Sequence, residues 1–295
     1  MTWLIWFVLI PTLLALCGAG LARYGVGRWA RRVQRLTGQL DAAGAAAPTP
    51  AGIPARFHSL ELDGLPAPVQ RYFRAVLKEG QPIVSAASIG LTGNINMSAE
   101  GEQWKPFQSQ QRVVTHRPGF LWDACVTMRP GMKVHVLDSY IAGTGLMQAS
   151  MFGLFTVARV EGEGEGGIAS AELMRYLAEA VWYPTALLPS QGIRWNAIDA
   201  QTATATLVDG PLTLTLLFRF NELGLIDSVR ADERSGMVNG KVVMTPWECR
   251  VARYALREGM TVPSVGEAAW IRPEGRSPYF HGALTSLTYE FAAQP

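Results

Sequence analysis

Apolar and polar residues alternate with a period of two along most of the chain after residue 80. In the stretch GFLWDACVTM, the apolar residues Phe120, Trp122 and Ala124 fall on the face opposite Asp123. The pair Asp209–Gly210 is a hairpin signal between two further alternating runs. Such alternation predicts half-buried β-strands. The other candidate strands are residues 83–97, 107–115, 133–140, 225–232, 241–244, 249–256, 262–271 and 283–291.

A period near 3.6 residues, typical of amphipathic helices, occurs in two places. The first lies between Asp63 and Gly80. The second is residues 170–183, where Ser170 can cap a helix and Pro184 ends it. A meander of antiparallel strands with one apolar face must curl or be covered. We therefore predict an α+β fold: a strongly curved, half-barrel-like antiparallel sheet that wraps the second helix and is covered by two or three helices.

Residues 2–22 form an uncharged and strongly apolar run ahead of the predicted sheet. As a helix rising about 1.5 Å per residue, this run would span the hydrocarbon core of a bilayer, which is about 30 Å thick. Trp3 and Trp6 lie where an interfacial aromatic belt falls, and membrane helices tolerate a kink at Pro11. A secretory signal needs positive charge before its apolar run, and a lipoprotein signal needs a small residue before Cys17. Because neither is present, we predict one retained transmembrane helix.

Residues 23–56 are predicted to be a basic juxtamembrane segment and then an Ala-, Pro- and Gly-rich linker from Thr37. Five arginines and no acidic residue lie between Arg23 and Leu40. By the positive-inside rule, this asymmetry favours a single-pass protein of the bacterial inner membrane with a cytoplasmic main domain, the alternative being a periplasmic one. The arginines can also contact anionic lipid. Residues 57–295 are predicted to form a single α+β domain.

The distribution of charge and cysteine excludes several classes of protein. The net charge is +2, so the five arginines leave −3 for residues 41–295, and we predict no nucleic-acid surface there. Three cysteines are too few for a disulfide framework in a chain of this length. Cys125 and Cys249 are predicted as buried thiols, and one disulfide between them stays open if the domain is exported.

One face of the predicted 170–183 helix carries a polar stripe, because steps of three, four and seven residues return to the same side of a helix. Inside a curved sheet, its carboxylates would serve acid–base chemistry or bind a cation, its arginine would bind an anionic group, and its tyrosines would orient a ligand. On a surface helix, the same residues would form ion pairs worth a few tenths of a kcal/mol each. Both interpretations stay open. The stripe consists of Glu172, Arg175, Tyr176, Glu179 and Tyr183.

The segment WYPTALLP follows this helix and is rich in aromatic and apolar residues. It can line the mouth of a pocket or plug the end of the core. With Trp182 from this segment and Trp122 from the apolar face of residues 120–128, the candidate ligand-binding residues are Glu172, Arg175, Tyr176, Glu179, Trp182, Tyr183 and Trp122.

Other chemistry is sparse. The four histidines are isolated from one another and from the cysteines, so we predict no metal site and no cofactor. Residues 161–167 lack the oxygen-ligand register of a calcium loop and the lysine of a phosphate loop, and are predicted to be a mobile connector. No catalytic residue is assigned, because no serine or cysteine has a sequence-adjacent base.

Five segments, in order, resemble a bacterial family of uncharacterised proteins known only as a domain of unknown function. They are LPAPVQRYFRAVL, WKPFQSQQ, PGFLWDA, ELMRYLAEAVWYPTALLPSQGIRW and TPWECR. The resemblance spans roughly residues 65–291. It implies no activity and supplies no catalytic residues.

A second resemblance concerns the fold alone. The hairpin YALREGMTVPSVGEAAW and the stretch GFLWDA are similar to elements of the lipoprotein-carrier superfamily of periplasmic proteins. Those proteins are curved antiparallel half-barrels whose concave apolar face holds acyl chains or lipid. The resemblance therefore implies a cavity for a hydrophobic ligand and a periplasmic location, whereas the arginine-rich flank favours the cytoplasm.

Three functions compete on these observations. The leading hypothesis is a membrane-anchored protein that binds a lipid or other hydrophobic ligand in the concave face of the sheet. The second is a hydrolase or isomerase that acts on an amphiphile through Glu172, Arg175 and Glu179. The third is a structural or assembly factor that recruits partners through a sheet edge or the arginine flank.

Overall fold

Thirteen strands form a single antiparallel sheet in the part of the chain that the computed structural model describes, which is residues 2–47, 54–98, 101–238 and 241–292. The helices of this part are α1 (Thr2–Ala46), α2 (Ala67–Val76) and α3 (Ile168–Glu179). Short 3₁₀ turns occupy Ser59–Leu62, Ala180–Trp182, Pro184–Leu187 and Pro189–Gln191. The strands are β1 (Val84–Asn96), β2 (Trp104–Val114), β3 (Gly119–Arg129), β4 (Met132–Ile141), β5 (Thr144–Met151), β6 (Phe155–Glu163), β7 (Arg194–Ala197), β8 (Thr202–Asp209), β9 (Leu212–Phe220), β10 (Ile226–Val238), β11 (Lys241–Arg257), β12 (Met260–Arg272) and β13 (Gly275–Phe291).

The order of the strands explains why one helix lies across the sheet. The order is β6-β5-β4-β3-β2-β1-β13-β12-β11-β10-β9-β8-β7, so that two meanders meet where β1 pairs with β13. The chain leaves the sheet at one edge strand, β6, and re-enters it at the other, β7. The connection must therefore cross one face of the sheet, and α3 lies in this connection.

The sheet is open, and it is neither closed nor strongly curled. The α+β class and the antiparallel sheet are confirmed, but the predicted strongly curved half-barrel was wrong in degree. The sheet nevertheless bends enough for α3 to contact β5 and β6 near one edge and β9 and β10 near the other. The two halves of the sheet also contact each other directly. The Tyr140 hydroxyl of β4 donates a hydrogen bond of 2.6 Å to a carboxylate oxygen of Asp209 in β8. The bend follows from covering one apolar face with α2 and α3.

The two faces of the sheet bury separate cores. Phe120 and Trp122 of β3 belong to the larger core, which α2 and α3 cover. Leu121, between them, packs on the opposite face with Trp29 and Leu40 of α1. This alternation is the one that the period of two predicted. Burying each large apolar side chain contributes about 1.5–3 kcal/mol, so both faces stabilise the domain.

The N-terminal prediction needs correction. Residues 2–46 form one helix, so the linker predicted from Thr37 is wrong over residues 37–46. Its alanine-rich sequence favours a helix, and Leu40 is 1% exposed against the sheet. The part of the linker at residues 48–53 lies outside the described residues.

The predicted transmembrane helix at residues 2–22 is not supported. Among the described residues, no helix is long and apolar enough to cross a membrane. The side chains of residues 2–5, 7, 8, 11 and 15, which include Trp3 and Pro11, lie outside the described part. Trp6 is described and is exposed.

Three strands were missed by the sequence prediction: β5, β6 and β7. The stretch TGLMQASM of β5 consists largely of residues that favour helices or have little preference for strands. Its residue types therefore gave no support to a strand prediction. The predicted mobile connector at residues 161–167 is partly strand, because β6 continues to Glu163. The two strands predicted at 241–244 and 249–256 are one continuous strand, β11.

Candidate functional site

Helix α3 is held close to the sheet at its first turn. The helix begins at Ile168, and its N-cap is Gly167 rather than the predicted Ser170. A Cβ atom at Gly145 of β5 would lie 2.6 Å from the backbone of Ala169, so only glycine permits this approach. The regular helix ends at Glu179, and a 3₁₀ turn replaces the rest of the predicted 170–183 helix. The polar stripe of α3 is thereby placed against β2, β3 and β4.

Arg175 is the centre of a network of charges between α3 and the sheet. Its Nε donates to Glu179 Oε1 at 2.7 Å, and its Nη1 donates to Asp138 Oδ2 at 2.8 Å. Gln111 of β2 donates to the second carboxylate oxygen of Glu179 at 2.7 Å. The three charged side chains are only 13–17% exposed. The stripe is therefore buried against the sheet, and it also contains an ion pair at the i, i+4 spacing that the surface interpretation expected.

Two aromatic rings of β3 pack against the Arg175 guanidinium. Its Cζ lies 5.0 Å from the ring centroid of Phe120 and 4.8 Å from that of Trp122. Burial alone would lower the pKa of Arg175, but the carboxylates of Glu179 and Asp138 raise it above its usual value. Arg175 is therefore a fixed positive charge.

Glu172 lies on the same stripe and is 4% exposed. Its Oε2 is buried and has no hydrogen-bond partner among the described residues. Burial first, and the charge of Asp138 second, raise the pKa of Glu172 to about 8. Burial also raises the pKa of Asp138, against the effect of Arg175, and Asp138 Oδ1 has no partner in the described structure. Glu172 is therefore mostly protonated at neutral pH and able to donate a hydrogen bond.

A second buried arginine approaches α3 from the other half of the sheet. Arg234 of β10 is 7% exposed, and its Nε donates to the backbone oxygen of Ala171 at 3.2 Å. Its Cζ lies 4.9 Å from the ring centroid of Trp247 and 5.5 Å from that of Trp270. No carboxylate of the described residues forms an ion pair with its guanidinium, in contrast to Arg175.

These side chains line a cavity of about 470 Å³ between α3 and the sheet. Its wall is mostly apolar and aromatic, and includes Met147, Ala149 and Val160 from β5 and β6. Met97 and Val242 line the cavity and are also exposed to solvent, so they mark its opening. The volume lies within the range of about 300–1,000 Å³ that is usual for small-molecule sites. The charged side chains that line it are Asp138, Glu172, Arg175, Glu179, Arg234 and Glu267.

Five of the seven predicted ligand-binding residues line this cavity: Glu172, Arg175, Glu179, Trp182 and Trp122. The other two do not. Tyr176 and Tyr183 are core residues, 3% and 0% exposed, and the Tyr183 hydroxyl donates to the backbone oxygen of Tyr176. Trp182 is fixed from outside the cavity, because its Nε1 donates to the Pro263 oxygen at 3.0 Å. Leu187 and Leu188 are fully buried, so the segment after Trp182 mainly plugs the core.

The sequence analysis missed most of the other lining residues, including Asp138, Arg234, Trp247 and Trp270. Asp138 follows Val134 and Val136 on one face of β4, so a lone acid on an apolar face was the available signal. Arg234 was missed because the predicted strand ended at residue 232, whereas β10 continues to Val238.

No metal-binding group is evident in the part of the chain that the structure describes, since no three His, Cys, Asp or Glu side chains gather in a suitable cluster. The three cysteines are free thiols. Cys249 borders the cavity, and burial raises its pKa above the usual value, which disfavours a reactive thiolate.

The fold and the cavity together define an α+β protein with an internal, mostly apolar site crossed by a few buried charges. The chain belongs to a family of unknown function, DUF6920, whose model matches residues 63–289. The first resemblance inferred from the sequence is thereby confirmed. No curated protein matches the chain.

Among solved structures, the chain is similar to a LolA superfamily protein from Nitrosomonas europaea. The two share 10% identity with a TM-score of 0.31, and the similarity covers 71% of this chain and 88% of that one. A likeness of this extent says nothing about the ligand.

Proposed function

We propose that the protein binds a single-chain hydrophobic or amphiphilic molecule in the cavity beneath α3. One observation carries the proposal: a cavity of about 470 Å³ with an apolar, tryptophan-rich wall and a few convergent polar groups. Small-molecule sites have this composition, because apolar contact provides affinity and a few polar groups fix orientation. The cavity volume of about 470 Å³ lies in the lower part of the usual range, which favours one chain over a lipid with two.

A cavity-filling substitution tests this proposal. Ala149 of β5 lies between Val136 and Ala158 across the strands, and all three line the cavity. We expect Ala149→Phe to occupy the space of the ligand and to weaken binding of dodecan-1-ol at least tenfold, which corresponds to about 1.4 kcal/mol. Isothermal titration calorimetry of the full chain in mild detergent measures the change.

The matched control is Ala255→Phe, because Ala255 is an exposed residue of β11 outside the cavity. It should bind dodecan-1-ol as the wild type does. Mass spectrometry of solvent extracts gives a second measurement, since the wild type should release an apolar molecule that the Ala149→Phe variant lacks. Equal binding by both variants would contradict a ligand site beneath α3.

Acid–base catalysis on an amphiphile is the second candidate. It is favoured by Glu172, whose pKa of about 8 lies close to the pH at which a general acid works best. In this case the bound amphiphile would be hydrolysed or isomerised, and Glu172→Gln would abolish turnover without abolishing binding. Recovery of an unchanged ligand after prolonged incubation with the wild type would argue for binding alone.

For the cellular location, we propose that the protein is attached to the bacterial inner membrane and that its main domain is cytoplasmic. The reason is the positive charge of the arginines that follow the apolar run. The large apolar residues of that run whose side chains are described are exposed, which favours contact with lipid: Trp6, Leu9, Ile10, Leu13, Leu14, Leu16 and Leu21. Protease added to intact spheroplasts should leave the C-terminal part undigested. Digestion there would assign the domain to the periplasm instead.

A further inference from the structure

Arg234 differs from the other buried arginine of the cavity in forming no ion pair, although its charge acts on the nearby carboxyl groups of Glu172 and Asp138. Arg175 contacts two carboxylates, Glu179 and Asp138. Arg234 uses one of its five N–H donors, on the Ala171 oxygen, and no carboxylate of the described residues pairs with it. Buried charges are normally paired, because an unpaired one loses its hydration without compensation. An anion from outside the chain would supply the missing partner.

The surroundings of Arg234 hold its guanidinium in place. Trp247 and Trp270 pack on it at 4.9 and 5.5 Å, and Trp247 is itself held by a hydrogen bond of 2.9 Å to the Tyr279 hydroxyl. A Cβ atom at Gly236 would lie 3.0 Å from the Trp270 ring, so the backbone at Gly236 also packs closely against this ring. A planar guanidinium fixed in this way is suited to a forked, two-bond contact with a carboxylate or phosphate.

The acids of the cavity leave this position free for an anion. Asp138 and Glu179 are engaged by Arg175, and Glu267 is engaged by Arg276. Glu172 is next in sequence to the Ala171 oxygen that Arg234 contacts, and it lines the same cavity with an unpartnered Oε2. While it is protonated, Glu172 can donate a hydrogen bond to an anionic oxygen rather than repel it.

We propose that the ligand is a single-chain amphiphile with an anionic head group, which Arg234 and the carboxyl group of Glu172 bind together. The apolar tail lies along Met147, Ala149 and Val160. This inference rests on the proposed function, because it names the chemical class of the molecule in the same cavity. Carboxylate and phosphate heads share the chemistry that the site requires.

The proposal predicts a dependence on pH. The groups that face Glu172 are Asp138 of β4, Arg175 and Glu179 of α3, and Arg234 of β10. As the pH rises through about 8, Glu172 ionises and places a negative charge beside the anionic head. Affinity for an anionic amphiphile should therefore fall between pH 7 and pH 9, whereas affinity for a neutral alcohol should not.

Calorimetric titration of the full chain with four probes tests the inference: dodecanoate, monododecyl phosphate, dodecan-1-ol and dodecylammonium. At pH 7, the better of the two anions should bind at least tenfold more tightly than the alcohol, and the ammonium probe should bind more weakly than the alcohol. The stronger anion identifies the head as a carboxylate or a phosphate.

The variant Arg234→Gln should bind the anion about 10- to 100-fold more weakly than the wild type, as expected for a lost hydrogen bond to a charged group. Its affinity for dodecan-1-ol should change by less than about threefold. Arg230→Gln is the matched control, because Arg230 lies four residues earlier on β10 with a half-exposed side chain paired to Asp232. It should leave every affinity unchanged.

The outcomes separate this inference from the proposed function. If the wild type binds none of the four probes, the cavity does not hold a chain and both proposals fail. If it binds the alcohol and the ammonium probe as tightly as the anions, only the anionic head group is refuted. The comparison of probes on the wild type needs no variant. It can therefore refute the inference even if Arg234→Gln fails to fold.

Discussion

Replacing Arg175 with methionine is expected to destabilise the domain by about 3–5 kcal/mol. Methionine fills much of the same space but leaves the carboxylates of Asp138 and Glu179, which are 17% and 13% exposed, without their cation. The contacts of the guanidinium with Phe120 and Trp122 are lost as well. Urea unfolding at pH 7, followed by circular dichroism, measures the change in the free energy of unfolding.

The matched control is Arg74→Met on α2. Arg74 also contacts a residue four positions away on its helix, through a hydrogen bond of 2.9 Å to the Gln70 side chain, but it is exposed. We expect this substitution to change the free energy of unfolding by less than about 0.5 kcal/mol. If Arg175→Met were equally mild, water in the cavity would be hydrating the two carboxylates.

Removing the two carboxylates together with the arginine separates the ion pairs from packing. The triple variant Arg175→Met, Asp138→Asn, Glu179→Gln has no unpaired charge at this position, so it should recover most of the lost stability. Failure to recover would mean that the aromatic contacts of Arg175, rather than its charge, hold α3 on the sheet.

The polar stripe of α3 could be predicted from sequence because it depends on local spacing alone. Glu172, Arg175 and Glu179 return to one side of any helix, whatever surrounds it. Their burial could not be settled in this way. It follows from the strand order, in which the chain crosses from edge strand β6 to edge strand β7 over one face.

Arg234 shows what local patterns omit. It joins the cavity only because β10 and β4 lie on opposite sides of α3, and more than 90 residues separate it from Asp138 along the chain. Tyr176 and Tyr183 show the converse. They share the stripe by spacing, yet both side chains lie in the core rather than the cavity, where the Tyr183 hydroxyl donates to the backbone oxygen of Tyr176.

The class of fold was predictable from the period of two, but the degree of bending was not. Alternation identifies which face of each strand is apolar. How far a sheet curls depends on what covers that face, and here α3 is aided by α2 and by the buried 3₁₀ turn at Pro184–Leu187. With this cover in place, the sheet stays open.

The second large effect is expected from Glu172→Gln. The free energy of unfolding of this variant, relative to that of the wild type, should increase by several kcal/mol between pH 5 and pH 8. Burial raises the pKa of Glu172 from an ordinary 4.5 to about 8. Between these values, the folded wild type keeps a proton that the unfolded chain has released. Its stability therefore falls by about 1.4 kcal/mol for each pH unit as pH rises, and the loss levels off above pH 8.

Glutamine resembles the protonated carboxyl group at every pH, so the variant avoids this loss. Below pH 4.5, both proteins carry a neutral side chain at this position and should be about equally stable. Urea unfolding at half-unit steps from pH 5 to pH 9 gives the difference directly, with Glu222→Gln in the exposed turn after β9 as the control. A difference that stays flat across this range would mean that Glu172 is ionised in the folded protein at neutral pH. It would then provide the anion that Arg234 otherwise lacks, and an anionic ligand would have no place beside it.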